Sequence, residues 1–350
     1  MLVKIKSVAN VGLETTAIEV EVDVASQGFP GFNIVGLASK AVEEARERVK
    51  TAIVNSGFDF PPKKITVNLA PADIPKDGAA YDLPIAVGIL AASGQFMTTN
   101  DNCTMMNDIF YGELSLDGSL RHTKGVLLVG LYAKNNAIYV PIFSANEAAV
   151  VGNVTVYPVR NLQELVDHFQ DVKKIEPLKH VEIQELVYEV NFEVDLAEVA
   201  GQEQAKRALT IAAAGGHNLL MFGPPGTGKT MLAKAMAGIL PPLSSQEALE
   251  VTRIYSVAGM LDSGESLVRR RPYRHPHHGV SPAGMVGGGS NPLPGEVSLS
   301  HLGVLFLDEM AEFPRSVLES LRQPMEDGTV SIVRAAAHVS YPASFTLLAA

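Results

Sequence analysis

The chain has 350 residues, of which 47% are apolar and 19% charged, a balance that supports packed cores and excludes a disordered chain. This length suits two compact domains. The formal net charge of -10 argues against a uniformly basic surface for nucleic acid, and a single cysteine, Cys103, excludes an intrachain disulfide. The longest apolar stretches, 83–92 and 125–133, are too short to span a bilayer, which predicts a soluble, cytoplasmic protein without a membrane partner.

The first half of the chain is predicted to form a mixed α/β domain over residues 1–170. Apolar and polar residues alternate between Leu2 and Val24, which predicts a strand hairpin at the edge of a sheet. Apolar residues recur at helical spacing over 39–55, before Ser56 and Gly57 end the pattern. Further strands are predicted at 64–69, 109–116 and 138–140, and further helices at 83–92 and 125–135.

The second half of the chain has a different pattern. Residues 171–191 mix charges with one proline and carry no long apolar period, so they are predicted to be a linker. From residue 192 to residue 350, helices alternate with very apolar strands, which is typical of a buried parallel sheet. The predicted helices are 202–214, 230–240 and 317–325, the predicted strands are 218–222, 304–307 and 345–350, and a hairpin is predicted at 329–341.

A phosphate-binding motif stands between a predicted strand and a predicted helix of the second domain. Lys229 would bring a positive charge to the β and γ phosphates of a nucleotide, and Thr230 would offer a hydroxyl group to Mg²⁺. Glycines let backbone N–H groups surround the phosphates. The alternative is a glycine-rich turn that only caps a helix. The motif residues are Gly223, Pro224, Pro225, Gly226, Thr227, Gly228, Lys229 and Thr230.

Two further segments complete the predicted nucleotide site. The apolar strand 303–307 ends in Asp308, predicted to hold the Mg²⁺ shell, and Glu309, predicted to accept a proton from the attacking water. Two acids after a strand are often ordinary turn residues, but their place downstream of a phosphate-binding loop favours the catalytic interpretation. Gly201 and Gln202 are predicted to lie near the adenine, and no guanine-reading N-K-x-D pattern occurs. ATP is therefore the predicted nucleotide.

Residues 269–278 form a dense basic cluster of four arginines and three histidines in an acidic chain. Arginines on an exposed loop suit phosphate contacts, and Tyr273 could stack on a base, so the cluster is a candidate DNA surface. Zinc binding by the histidines is one alternative. Neutralisation of acids in the same domain or across a subunit interface is another. The candidate DNA contacts are Arg269, Arg270, Arg271, Arg274 and, in the predicted hairpin, Arg334.

These motifs and several shorter segments resemble the magnesium-chelatase-like AAA+ ATPases of the ComM/YifB family. The resemblance covers nearly the whole chain. In the second domain it rests on 201–202, 217–218, the phosphate-binding motif, 271–274, 276–278, 287–289, 294–296 and 304–309. In the first domain it rests on 36–37, 44–48, 55–58, 67–73 and 81–85.

The resemblance implies a ring-forming, usually hexameric ATPase that uses ATP and Mg²⁺ and moves along single-stranded or branched DNA. One member of the family is regarded as a branch-migration helicase of natural transformation, so the resemblance implies such an activity here. The hairpin 329–341 would then be the pre-sensor hairpin, and the segment between the two motifs would contain the helix-two insert, both facing a central pore. The alternative is a chelatase-type or chaperone-type ATPase that remodels a protein partner.

The resemblance also implies a first domain with the fold of the Lon proteolytic domain. Lon-like proteases use a serine shortly after Lys-Asp-Gly and a lysine in a following helix, which takes the serine's proton. Here Lys76-Asp77-Gly78 precedes Ala80 at the serine position, and Leu127 lies near the lysine position. We therefore expect no peptidase activity.

The AAA+ core is expected to be incomplete within these 350 residues. The chain ends at Ala350, on the strand after which the family carries its polar sensor, helical lid and cysteine-rich segment. The 350 residues alone are therefore expected to bind nucleotide weakly and to hydrolyse it slowly.

Overall fold

The computed structural model describes residues 1–26, 29–36, 40–76, 78–95, 107–187, 194–289, 292–334 and 337–350, and Cys103 lies outside them. The chain divides into two compact units. The first unit comprises Met1–Val181 with the short segment Leu261–Ser266, and the second comprises Glu182–Met260 with Leu267–Ala350. The boundary at 181–182 falls inside the segment 171–191. None of the described helices combines the length and the apolar character needed to cross a bilayer.

The first unit is a mixed α/β fold. Its strands are β1 (Leu2–Val11), β2 (Glu14–Val24), β3 (Gly31–Val35), β4 (Lys64–Ala70), β5 (Ile109–Phe110), β6 (Glu113–Leu114), β7 (Leu120–Arg121), β8 (Ala137–Pro141) and β9 (Thr155–Val159). Its helices are α1 (Lys40–Asn55), α2 (Asp82–Ala92), α3 (Val126–Tyr132), α4 (Ala145–Ala149) and α5 (Leu162–Phe169). Within the described residues, seven strands form one sheet in the order β3-β4-β2-β1-β5-β8-β9, and β6 pairs with β7 separately.

The β1–β2 hairpin lies in the middle of this sheet, so the predicted edge position is wrong. Strand β2 pairs antiparallel with β4, and β1 pairs parallel with β5. Helix α2 packs across the hairpin, and a Cβ atom at Gly88 would lie 2.5 Å from Cγ2 of Val22. Alternation indicates only that one face of a strand is buried, and an inner strand covered by a helix on one face alternates just as an edge strand does.

A buried ion pair ties α1 to α2. Asp82, at the start of α2, has no exposed surface, and its carboxylate accepts hydrogen bonds from Nε (2.9 Å) and Nη2 (3.2 Å) of Arg48. The backbone N–H of Leu114 donates a third hydrogen bond, at 3.3 Å. Burial raises the pKa of Asp82 to about 6, although the Arg48 guanidinium and the Leu114 amide oppose that shift. The ionised carboxylate therefore depends on Arg48.

We expect Arg48→Ala to destabilise the protein more at pH 7.5 than at pH 5. Because the folded pKa of Asp82 lies above its unfolded value, the proton on Asp82 stabilises the fold at low pH, and this contribution is lost as pH rises through about 6. Without Arg48, the ionised carboxylate is buried unpaired, which should cost about 3 kcal/mol at pH 7.5 and less once Asp82 is protonated. Urea unfolding at both pH values measures the loss, with the exposed Arg46→Ala as control. An equal loss at both pH values would contradict this prediction.

The second unit alternates helices with short strands. Its helices are α6 (Ile183–Val187), α7 (Glu203–Gly215), α8 (Lys229–Ile239), α9 (Ser245–Ala258), α10 (Pro282–Val286), α11 (Glu296–Leu299), α12 (Arg315–Ser320) and α13 (Arg322–Asp327). Its strands are β10 (Leu219–Leu220), β11 (Tyr273–Arg274), β12 (Gly287–Gly288), β13 (Leu293–Pro294), β14 (Val304–Leu307), β15 (Thr329–Arg334), β16 (Ala337–Pro342) and β17 (Thr346–Ala349). A parallel sheet has the order β10-β17-β14-β11, as predicted for this half, and β12–β13 and β15–β16 are antiparallel pairs.

One helical prediction in this unit is wrong, and one long helix was missed. The single helix predicted over 317–325 is two helices, α12 and α13, because Pro324 has no N–H to continue the hydrogen-bond ladder and fits only the first turn of a new helix. Helix α9 was not predicted. It begins with a capping box in which Ser244 and Glu247 bond reciprocally to each other's backbone N–H groups, a signal present in the sequence.

The core of the second unit places two chain segments at one edge of the sheet. All four residues of β14 are buried, and Phe306 packs in one apolar cluster with Leu232 and Met236 of α8. Strands β10 and β14 both pair in parallel with β17, so their carboxyl ends lie on the same side. The loop that follows β10 and the acids that follow β14 are therefore brought together.

Candidate functional site

The loop 223–228 leads from β10 into α8 through two left-handed glycines. Gly226 has φ 80° and Gly228 has φ 84°, a conformation that other residues adopt only with strain. The first N–H groups of α8 have no partner within the helix, and Gly228, which immediately precedes α8, has no side chain to cap them. An anion at this loop would meet those N–H groups and the positive end of the helix dipole.

The ammonium group of Lys229 lies against the same loop. Its Nζ donates hydrogen bonds to the carbonyl oxygens of Gly223 (3.0 Å) and Pro224 (3.1 Å). The hydroxyl group of Thr227 also donates to the Pro224 carbonyl, at 3.0 Å. Phosphate oxygens accept stronger hydrogen bonds from an ammonium group than neutral carbonyls do, so a bound phosphate can replace the carbonyl contacts.

Gly201 and Gln202 form the turn that enters α7, with φ values of 67° and 58°. Nε2 of Gln202 donates a hydrogen bond of 3.3 Å to the carbonyl oxygen of Thr227 in the phosphate-binding loop. The structure therefore brings the predicted adenine-side turn and the predicted phosphate loop together. Pro225, at the tip of that loop, is exposed.

Thr230 and Asp308 are in direct contact. The hydroxyl group of Thr230, in the first turn of α8, donates a hydrogen bond of 2.9 Å to Oδ2 of Asp308, which follows β14. Hydroxyl and carboxylate oxygens are ligands that Mg²⁺ accepts, and this ion commonly takes only one or two protein ligands beside phosphate and water. These two side chains therefore fit a Mg²⁺ ion held beside a nucleotide.

Glu309 has a left-handed backbone, with φ 53°. Its N–H donates a hydrogen bond of 3.1 Å to Oδ1 of Asp308, so one carboxylate holds both Thr230 and the turn that carries Glu309. A non-glycine residue in this conformation costs about 1–2 kcal/mol, and such strain is concentrated at functional sites. The Glu309 side chain is 70% exposed, and its Oε2 lies 3.9 Å from Nδ1 of His278, a contact that the sequence analysis did not predict.

Two arginines of the basic cluster are engaged within the second unit. Arg271 donates to the Leu302 carbonyl (2.7 Å) and to Oε1 of Glu247 (3.3 Å). Arg274 holds Glu296 with two hydrogen bonds, of 2.6 Å and 2.8 Å. These contacts are those expected from the alternative in which the cluster neutralises acids of its own domain. Neither guanidinium group is free for DNA in this conformation.

The remaining DNA candidates occupy different environments. Tyr273 belongs to β11 and stacks on Phe306, with ring centroids 6.3 Å apart, so this ring packs inside the unit. Arg269 and Arg270 are exposed and make no hydrogen bond or ion pair with a described residue. Arg334 is in β15, and its side chain lies outside the described part of the structure.

The three histidines of the cluster do not converge on one point. The His275 ring packs 4.9 Å from Phe306, whereas the His277 and His278 rings contact each other at 4.0 Å. Within the described ranges, no group of three or more His, Cys, Asp or Glu side chains is arranged to hold a metal ion. The zinc alternative therefore gains no support from this geometry.

The chain matches two protein-family models. The model described as magnesium chelatase, subunit ChlI, matches residues 195–350, which include the phosphate-binding loop and both acids. A second model, subunit ChlI of Mg-chelatase, matches residues 20–146. The first match covers most of the second unit, and the second match covers most of the first unit.

Several curated proteins are similar along nearly the whole chain. The uncharacterized protein YifB of Salmonella typhimurium is 45% identical over 355 residues, covering 98% of this chain and 66% of the relative. Competence protein ComM of Haemophilus influenzae is 45% identical over 348 residues, covering 98% of this chain and 67% of the relative. This chain thus spans about two thirds of the length of these relatives. An archaeal Lon protease of Methanothermobacter thermautotrophicus is 41% identical over 69 residues, only 18% of this chain.

The second unit carries the glycine loop, the lysine and the paired acids on a parallel sheet, and the similarity extends through both units. With this match along nearly its full length, the chain belongs to the ComM/YifB family of magnesium-chelatase-like AAA+ proteins.

Proposed function

We propose that this chain binds ATP with Mg²⁺ and hydrolyses it, as the motor core of a protein that acts on DNA. The observation that carries the proposal is the contact of 2.9 Å between the Thr230 hydroxyl and Asp308, at the edge of the sheet where the glycine loop opens. Phosphoryl transfer needs positioning and charge stabilisation more than covalent chemistry from the protein. A phosphate cradle beside a magnesium-binding pair meets that need.

Each residue of the site has a distinct role in this proposal. The loop amides and Lys229 bind the β and γ phosphates, while Thr230 and Asp308 hold the Mg²⁺ ion, which neutralises charge on the phosphate oxygens. Glu309 accepts a proton from the attacking water, because its exposed carboxylate is not occupied by the Thr230 hydroxyl. Gln202, proposed to lie near the adenine, donates a hydrogen bond to the Thr227 carbonyl and so steadies the phosphate-binding loop.

The proposed substrate of the motor is single-stranded or branched DNA, moved through a homo-oligomeric ring, with six subunits as the proposed number. The similarity to a competence protein supports a role on DNA, including branch migration in transformation or recombination. Arg269 and Arg270 are the exposed arginines of the cluster and can approach phosphates. The hairpin formed by β15 and β16 is the proposed pore element.

A protein-remodelling ATPase is the second candidate function. It is favoured by the family models, which describe chelatase subunits, and by the engagement of Arg271 and Arg274 in contacts within the unit. The phosphate chemistry would be the same in both cases. Only the substrate would differ.

For the first unit we propose a Lon-like fold without peptidase activity. Ala80, at the serine position, carries no nucleophile and is buried, and Leu127, near the lysine position, is also buried. Lys76 is buried, and its Nζ donates a hydrogen bond to the carbonyl oxygen of Pro71. Burial lowers the pKa of Lys76. Asp77 lies outside the described residues.

The nucleotide roles predict opposite phenotypes for two substitutions in the full-length protein. Lys229→Ala removes the charge that faces the phosphates and should abolish most ATP binding. Glu309→Gln keeps the fold and the Mg²⁺ pair but removes the proton acceptor, so it should bind ATP normally and hydrolyse it at least a hundredfold more slowly. Equilibrium binding and steady-state hydrolysis separate the two effects. Normal turnover by Glu309→Gln would refute its role as the base.

The DNA proposal predicts a change in salt dependence. The double substitution of Arg269 and Arg270 by Ala should weaken binding to single-stranded DNA and lower the slope of log K against log salt by roughly 1.4. The matched control replaces Arg315 and Arg322, two exposed arginines of the same unit that each pair with a glutamate. An unchanged slope in the first variant, with ATP hydrolysis intact, would favour the protein-remodelling alternative.

A further inference from the structure

The first unit contains a polar cleft that no role proposed above uses. The cleft lies between the end of α1, the turn that joins β6 to β7, and the polar side of α5. Its volume is about 530 Å³, which is within the range of small-ligand sites. Every described residue on its walls is polar or charged, and neither Ala80 nor Leu127 is among them. The cleft therefore does not include the two positions that correspond to the Lon-like catalytic pair.

The walls of the cleft are tied together by one turn. Gly118 approaches α1 so closely that a Cβ atom at this position would overlap Oγ of Ser56. Nδ2 of Asn55, the last residue of α1, donates a hydrogen bond of 2.7 Å to the carbonyl oxygen of Leu116. The N–H of Leu162, the first residue of α5, donates a hydrogen bond of 2.9 Å to the carbonyl oxygen of Gly118. The cleft is therefore formed in advance of any ligand.

The cleft carries free charges of opposite sign at its two ends. Lys173 lies just beyond the end of α5, and its ammonium group makes no hydrogen bond or ion pair with a described residue. Asp117 lies at the other end, because the neighbouring Gly118 is bonded to the start of α5. Oδ1 of Asp117 accepts hydrogen bonds from the hydroxyl (2.6 Å) and the N–H (3.0 Å) of Ser119, whereas Oδ2 has no such partner in the described ranges. These bonds lower the pKa of Asp117, so its carboxylate is ionised at neutral pH.

The remaining charged groups of the cleft are engaged with each other. Nη1 of Arg160 lies 3.5 Å from Oε1 of Glu164, and the backbone N–H of Arg160 donates a hydrogen bond of 2.9 Å to the same carboxylate. Oδ1 of Asp167 accepts a hydrogen bond of 2.8 Å from Nε2 of Gln163. The ammonium group and the carboxylate at the two ends are thus the charges most available to a ligand.

The composition of the walls excludes several classes of ligand. A nucleotide base or a lipid chain needs an apolar or aromatic wall, and the described lining offers none. A polyanion would be repelled by the carboxylates of Asp117, Glu164 and Asp167. In the part of the chain that the structure describes, no group of three or more His, Cys, Asp or Glu is arranged to hold a metal ion. A ligand with one positive and one negative end matches the cleft.

We propose that this cleft binds a short peptide with free termini, with its α-ammonium group at Asp117 and its α-carboxylate at Lys173. Helix α5 has eight residues and is therefore about 12 Å long, and the two charges lie at its opposite ends. An extended chain covers about 3.3–3.6 Å per residue, so two or three peptide residues fit between them. The Ser56 hydroxyl, which has no hydrogen-bond partner among the described residues, is available to a peptide N–H or C=O group.

The test is a ligand-observed saturation-transfer NMR titration of the full-length protein at pH 7, with trialanine as the probe. Trialanine should bind with a Kd of roughly 1 mM, as expected for two exposed charge pairs and a few hydrogen bonds. N-acetyl-trialanine amide has the same backbone without terminal charges and should bind about tenfold more weakly. No saturable binding of trialanine, or equal affinity for the two peptides, would overturn the proposal.

Two variants test the two ends of the cleft separately. Lys173→Met should raise the Kd of trialanine about fivefold and leave that of trialanine amide, which has no carboxylate, unchanged. Asp117→Asn should raise the Kd of trialanine by about the same factor and leave that of N-acetyl-trialanine, which has no ammonium group, unchanged. Lys179→Met is the matched control, because Lys179 is an exposed lysine of the same segment that does not line the cleft. Equal losses in Lys173→Met and Lys179→Met would also overturn the proposal.

Discussion

The nucleotide site proposed for the second unit depends on one hydrogen bond, from the hydroxyl group of Thr230 to the carboxylate of Asp308. It joins the first turn of α8 to the end of β14, two segments that are 78 residues apart in the chain. The parallel sheet makes this contact possible, because β17 pairs with both β10 and β14 and aligns their carboxyl ends. A shift in that register would separate the phosphate loop from the acids. The chemistry of the site is therefore a consequence of strand alignment.

Three residues around this bond have a left-handed backbone, and only that of Glu309 is strained. Gly226 and Gly228 adopt left-handed conformations with little cost, because glycine has no Cβ atom. Glu309 has a side chain and adopts its left-handed conformation only with strain. The Asp308 carboxylate stabilises this turn by accepting a hydrogen bond from the N–H of Glu309. The same carboxylate thus fixes the position of the Thr230 hydroxyl and of the turn that carries Glu309. Under the proposed roles, Asp308 would link Mg²⁺ binding to the geometry of the base.

The sequence predicts the local parts of this arrangement and misses those that depend on tertiary packing. The glycine loop and the apolar strand before Asp308 are contiguous patterns, so their elements appear where the sequence places them. The β1–β2 hairpin is central because β4 and β5 pair with its two outer sides. The alternation of apolar and polar residues within one strand does not indicate which strands pair with it. The positive charges of Arg271 and Arg274 suggested a nucleic-acid surface. In the structure these arginines contact Glu247 and Glu296, which are distant from them in sequence. Strand β11 has only two residues, lies close to Pro272 and Pro276, and is too short for a periodic signal. Without this strand the sequence could not indicate that His278 lies near Glu309.

The most direct test of the central claim is an ATP titration of the full-length protein with and without Mg²⁺, for the wild type and for Asp308→Asn. Magnesium should strengthen wild-type binding, because under the proposed roles Thr230 and Asp308 would hold the ion beside the nucleotide, and this enhancement should be largely lost in Asp308→Asn. The expected result is therefore Mg²⁺-dependent affinity in the wild type and nearly Mg²⁺-independent affinity in the variant. Wild-type affinity that is indifferent to Mg²⁺, or an Asp308→Asn variant with the full enhancement, would contradict the assignment of this site.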